Sequence, residues 1–162
     1  MKKLITFITG AMFAAMSFAQ TADVAQNVSG ADVGDFNGAE DFEVSFDTAM
    51  NQADITEYRL MVVKNGATFN VDSASNVIAA NYMVYAAPLA DNVLDTLMAG
   101  AMDSDGDAIA INTPYQVYVL SVGTNADSLS GASATVTILD PLSLPFYEDF
   151  EENPSKNNLS VI

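Results

Sequence analysis

Three carboxylates spaced two residues apart, in Asp103-Ser104-Asp105-Gly106-Asp107, are the place where residue types and spacing point most directly to ligand chemistry. Calcium takes six to eight hard oxygens. Aspartates at the first, third and fifth positions, with a glycine at the bend, open a calcium loop of the EF-hand kind. The twelfth position of such a loop supplies a bidentate carboxylate, and here it is Pro114. Asp103, Asp105 and Asp107 therefore have two readings: a weak calcium site completed by backbone carbonyls, or an acidic, solvated loop between two strands. Calcium is the only cofactor to which the spacing points.

Other chemistry is excluded by residue type. The chain contains no histidine, cysteine or tryptophan. A Ser-His-Asp triad, a thiol nucleophile and the usual His/Cys zinc sites are therefore ruled out. No nucleophile-elbow, phosphate-loop or dinucleotide glycine pattern occurs. A glycosidase pair of carboxylates is compatible with the composition, but it needs a deep cleft that a small sandwich with short loops does not offer. The chain is expected not to be an enzyme.

The elements that would position these residues begin after an export leader. Lys2 and Lys3 precede an apolar run from Leu4 to Ala15, and Ser17 and Ala19 form a small-x-small cleavage site, giving a signal peptide over residues 1–19. The protein is expected to be secreted or cell-surface, with no membrane insertion once the leader is cleaved. About 140 residues remain, enough for one domain with a real core. Without cysteine, that core has no disulfides to help it. The net charge of −16 deepens to about −18 when Lys2 and Lys3 are lost. A surface this acidic is repelled by phosphate backbones and anionic lipid, so nucleic acid is not an expected partner.

Residues 20–27 read as a flexible lead-in and 28–139 as almost all strand. Phe42, Val44 and Phe46 alternate with polar residues, the period of a half-buried strand. A second strand runs from Ile55 to Lys64 and stops at the turn Asn65-Gly66. Ala67–Asn70 reads as a short edge strand, Ser73–Ala80 as a helical turn or loop, and Tyr82–Tyr85 and Val93–Met98 as further strands. Tyr115–Val122 alternates again, and Ala134, Val136 and Ile138 mark the last strand, after a loop over Asn125–Gly131. About seven short strands between turn signals describe an all-β, antiparallel β-sandwich. The prolines of Asp140–Pro145 make a linker, and 146–162 reads as the truncated start of a second domain.

Alternation also assigns faces. With Tyr58, Leu60, Val62, Tyr115, Val117 and Val119 turned inward, Met61, Val63, Tyr118 and Leu120 point outward. Those four form an apolar patch that either docks a neighbouring domain or lies under the segment from Ala67 to Ala90. Tyr82, Tyr85 and Tyr118 are candidates to stack on sugar rings, with core packing the simpler reading. The sequons at Asn27 and Asn158 are read as chance.

Five pieces carry a family likeness: DFEVSF (Asp41–Phe46), ITEYRLMVVKNG (Ile55–Gly66), DSDGDAI (Asp103–Ile109), YQVYVLSVG (Tyr115–Gly123) and SLSGASATVTI (Ser128–Ile138). Together they resemble a fibronectin type III-like repeat of the divergent kind found in secreted and surface proteins of the Bacteroidetes. The resemblance implies an immunoglobulin-like sandwich. It makes Tyr115, six residues after Ile109, the tyrosine-corner residue whose hydroxyl bonds back to nearby backbone. Phe46 stands where many such domains keep a tryptophan. The stretch LPFYEDFEENP (Leu144–Pro154) is similar to the opening of a jelly-roll or MAM-like domain. The implied function is a non-catalytic spacer, adhesion or protein-interaction module, whose partners are neighbouring domains of the same polypeptide or another surface protein. The alternatives are an accessory domain of a secreted hydrolase and a calcium- or glycan-binding adhesin.

Overall fold

The computed structural model describes residues 21–36 and 38–140. The leader over 1–19, the linker past residue 140 and the second-domain start over 146–162 lie outside the described residues. Numbered in chain order, β1 (Gln26–Asp32), β2 (Phe42–Asp47) and β5 (Val93–Thr96) make one sheet in the order β1-β2-β5. The other sheet runs β4 (Met83–Ala86), β3 (Ile55–Lys64), β6 (Pro114–Gly123), with β7 (Ser128–Leu129) and β8 (Val136–Thr137) both paired to the far side of β6. Every pairing is antiparallel. The chain is thus a small, mostly β domain of two antiparallel sheets, compatible with an immunoglobulin-like or fibronectin type III-like fold.

The alternating residues make the core. Phe42, Val44 and Phe46 of β2 face Tyr58, Leu60 and Val62 of β3 and Tyr115, Val117 and Val119 of β6, all buried in one cluster. Each such side chain contributes roughly 1.5–3 kcal/mol by leaving water. Rings lock the two sheets together: Phe42 meets Tyr115 edge-on at 6.2 Å, and Phe46 meets Tyr58 at 5.4 Å and Tyr85 at 5.7 Å.

Three expectations change. The lead-in is built into the sandwich from Ala22 onward, because alanines small enough to lie against the sheet are buried there. Ala22 and Ala25 are in the core, the Ala22 N–H donates to the Ala126 carbonyl (3.0 Å), and the Asp23 carboxylate accepts from the Asn51 N–H (3.0 Å). Residues 67–70 form no strand. Asn70 instead caps the short helix α1 (Val71–Ser75), its side-chain oxygen accepting from the Ser73 N–H at 2.9 Å. The apolar outer face is not open. Met61, Val63 and Leu120 are buried under Phe69, Val71, Ala74, Val77 and Tyr82, and Tyr118 is half-buried with its ring 5.0 Å from that of Phe69. The connection from β3 to β4 lays its own apolar side chains on this face, so the docking role expected of Met61, Val63, Tyr118 and Leu120 is withdrawn. This cover also explains why β3 is buried on both faces from Leu60 to Val63.

The last strand is unusual. Between the pairs Leu129↔Leu120 and Val136↔Tyr115, seven steps of chain run beside five of β6. Two serines absorb the excess. The Ser130 hydroxyl accepts the Val119 N–H (2.9 Å) while its own N–H donates to the Val119 carbonyl (2.9 Å). Ser133 repeats this on Val117, at 2.8 and 3.0 Å. Each hydroxyl in turn donates a hydrogen bond to the carbonyl of the next residue, Gly131 and Ala134 respectively. A side-chain oxygen thus replaces a strand carbonyl twice, and β6 stays saturated past an irregular neighbour.

Ser121 is the counter-example on the same strand: its hydroxyl is buried and takes no hydrogen-bond partner among the described residues. Ser121→Ala is therefore expected to be neutral or stabilising by up to about 1 kcal/mol. Urea unfolding of the variant checks this, and a loss above that size would mean the hydroxyl is engaged.

Candidate functional site

The acidic loop is ordered by its own first aspartate. Asp103 is fully buried. Its Oδ1 accepts the backbone N–H groups of Asp105 and Asp107, both at 3.0 Å, and its own N–H donates to the Asp107 carbonyl at 2.8 Å. Gly106 turns the corner at φ +89°, a conformation that costs glycine least. The second oxygen of each of the three carboxylates points to one place. Lys64, at the end of β3, puts its ammonium there: Nζ lies 3.1 Å from Asp103, 3.9 Å from Asp105 and 2.5 Å from Asp107. Asp103 Oδ2 has no well-aligned hydrogen bond and meets Lys64 as an ion pair.

The reading of an acidic, solvated loop between two strands describes Asp105 and Asp107, whose side chains are exposed, but not Asp103. Asp103 is not solvated, and the point where the three carboxylates meet holds a covalently tethered cation. The hydrogen bond to Asp107, then the close pairing with Asp103, holds the Lys64 ammonium protonated well above the usual lysine range. Sequence reasoning missed Lys64. Its signal was its scarcity: Arg59 and Lys64 are the only Lys or Arg between residues 4 and 155.

In Lys64→Met the three carboxylates face one another with no cation between them, so the melting temperature should fall, and millimolar calcium should restore part of the loss. The parent protein is expected to melt at the same temperature in chelator and in calcium. Thermal melts of both proteins in the two buffers decide it. A calcium-dependent shift in the parent would mean that the loop admits a metal beside Lys64.

The other named residues hold backbone. The Tyr115 hydroxyl accepts the Ala110 N–H (3.0 Å), just past the buried Ile109, and fixes the turn into β6. The Tyr58 hydroxyl does the same for the Ala49 N–H at 3.1 Å. Asp41, fully buried and also missed, accepts from the N–H of Phe36 (2.8 Å) and of Gly38 (3.3 Å). A side chain at Gly34 would run into the same carboxylate, so only glycine fits there. The three tyrosines proposed as a sugar platform face different surroundings. Tyr82 and Tyr118 belong to the outer apolar cluster, the former with the Arg59 guanidinium 5.0 Å above its ring. Tyr85 turns inward onto Phe46, its hydroxyl donating to Asp95 at 3.0 Å.

Burial pushes the Tyr85 hydroxyl up, with the Asp95 hydrogen bond adding to it, and burial likewise raises Tyr58. With Lys64, three groups hold their protons more tightly folded than unfolded. Their contribution is complete below the ordinary tyrosine and lysine values, near pH 10, and is lost as pH rises beyond them. The melting temperature should carry no slope from these groups between pH 7 and 9 and should fall above pH 10. A tyrosinate absorbance titration of the folded protein should show ionisation delayed past the free-tyrosine range. Normal titration of all the tyrosines would contradict it.

A second surface is set by the sheet edges. Among the described residues β4 and β5 each have a strand neighbour on one side only. The Tyr85–Asp95 hydrogen bond ties them at one level. Beyond it the sheets part into a cleft of about 220 Å³, lined by Leu60, Val62, Tyr82, Met83, Leu97 and Met98 among others. No protein-family model and no curated protein matches this chain.

Proposed function

We propose that the chain contributes a fibronectin type III-type, immunoglobulin-like sandwich that works as a non-catalytic spacer and interaction module of a secreted or cell-surface protein. The observation that carries this reading is where the chain enters and leaves. Ala22 bonds to Ala126 at the Gly123 end of β6, whereas Thr137 pairs with Pro114 at the other end and the Leu139 N–H reaches Asp32. The two points of attachment are separated by the length of a ten-residue strand, ~30 Å. A module entered at one end and left at the other holds the chain on its two sides at a set distance.

Two further observations support the reading. The strand order, three strands against a sheet centred on β3 and β6, is compatible with the two-sheet sandwich architecture of fibronectin type III-like domains and supports this reading. Among the described residues, four of the six buried polar side chains, Asp41, Asp103, Ser130 and Ser133, bind backbone, as do the hydroxyls of Tyr58 and Tyr115, and so fix the shape. On this reading the partners are neighbouring domains or another surface protein, and the leader over 1–19 sets the compartment.

Single-molecule stretching through handles at residues 21 and 140 tests it. A spacer under load should open in one step that releases roughly 400 Å of chain. Opening in several small steps, or extension without a force peak, would contradict a single mechanical unit.

A further inference from the structure

We infer that the cleft between β4 and the segment after β5 is a docking site for an extended segment of a different polypeptide, one with a large apolar side chain flanked by lysine or arginine. The inference rests on the interaction-module reading and names the site and the partner's chemistry.

Two features meet at this edge. The first is main chain. β4 reads Met83-Val84-Tyr85-Ala86, a short edge whose protection is its length and the following Pro88 rather than any charge within the strand, so it bars a partner weakly. An added strand would take its free N–H and C=O groups. The second is the cleft itself, beside Met83. About 220 Å³ between Leu60, Val62, Leu97 and Met98 is the volume for one branched or aromatic side chain, since a 150 Å³ apolar cavity already admits benzene. Two of its lining side chains stand in the open: Met98 is 77% exposed and Met102 43%. Methionines suit such a mouth because their thioethers adapt to what they receive.

Charge selects the occupant. The whole chain carries −16, and the cations nearest this face, Arg59 and Lys64, are already held by Glu57 and by the Asp103 loop. Asp95 stands two residues before the lining residue Leu97, and the Asp103–Asp107 loop, three carboxylates against one ammonium, follows the lining residue Met102. A second copy would bring the same charge to the same place and be repelled, whereas a cationic strand is drawn in.

The test is an amide-shift titration of the folded domain with a synthetic peptide, Lys-Thr-Val-Thr-Leu-Thr-Val-Lys, blocked at both ends. Shifts should concentrate on residues 83–86 and 97–102. Binding should weaken at least tenfold when the central leucine becomes alanine, or in the Met98→Glu variant, whose exposed position leaves the fold intact. Exchanging the peptide lysines for aspartates should weaken it too, with the difference shrinking at high salt. Shifts elsewhere, no shifts at millimolar peptide, or equal binding of the aspartate peptide at low salt would overturn the inference. So would concentration-dependent shifts of the same residues without peptide, which would make the occupant a second copy. None of these outcomes alters the stretching result, so a failed docking site and a failed spacer are told apart.

Discussion

Phe46→Ala should lower the unfolding free energy by ~3–5 kcal/mol, the cost of removing a fully buried ring and leaving its cavity. Phe46 touches rings from two strands of the opposite sheet, Tyr58 on β3 and Tyr85 on β4. Both tyrosines have further duties: Tyr58 holds the Ala49 N–H, and Tyr85 holds Asp95 across the sheet edges. The void therefore loosens a loop and an edge as well as the core. Domains of this size have about 5–15 kcal/mol in all, so the variant should be close to unfolding at body temperature. Urea unfolding followed by circular dichroism measures it. A loss under about 1 kcal/mol would mean that Phe46 is not the centre of the inter-sheet packing.

The double variant Ser130→Ala, Ser133→Ala should lose ~2–6 kcal/mol, about 1–3 for each buried N–H left without an acceptor. The packing loss is small because only a hydroxyl goes. The effect should also be local: amide exchange should quicken at Val117 and Val119, whose N–H groups these hydroxyls accept, before it quickens elsewhere on β6. Unchanged protection at those two amides would show that water or a relaxed strand takes over. Ser121→Ala, on the same strand, serves as the control.

These two sites show what could be read from the sequence. The inward faces of β2, β3 and β6 were legible because period-two alternation is a local property of the chain. Phe46, Tyr58 and Tyr115 could be placed in the core from it. The serines were not legible: Ser-Gly-Ala-Ser-Ala has the composition of a loop, and only the neighbouring strand reveals that two hydroxyls stand in for carbonyls. The cover over Met61, Val63 and Leu120 was one of two readings, because alternation says which way a side chain points and not what lies on it. The Asp103 loop was found by its spacing. Its meaning came from Lys64, which is 39 residues earlier in the chain. The lead-in was misread because alanine-rich polar sequence has no pattern, although Ala22 and Ala25 are small enough to be buried.

A spacer of this kind must be entered and left at opposite ends, and the absence of cysteine makes that distance directly measurable. Spin labels on cysteines introduced at Thr21 and Asp140 should give a single narrow distribution near ~30 Å plus the reach of the labels, set by the length of β6. A short distance, with the two ends side by side, or a broad distribution spanning both, would contradict the spacer at its root.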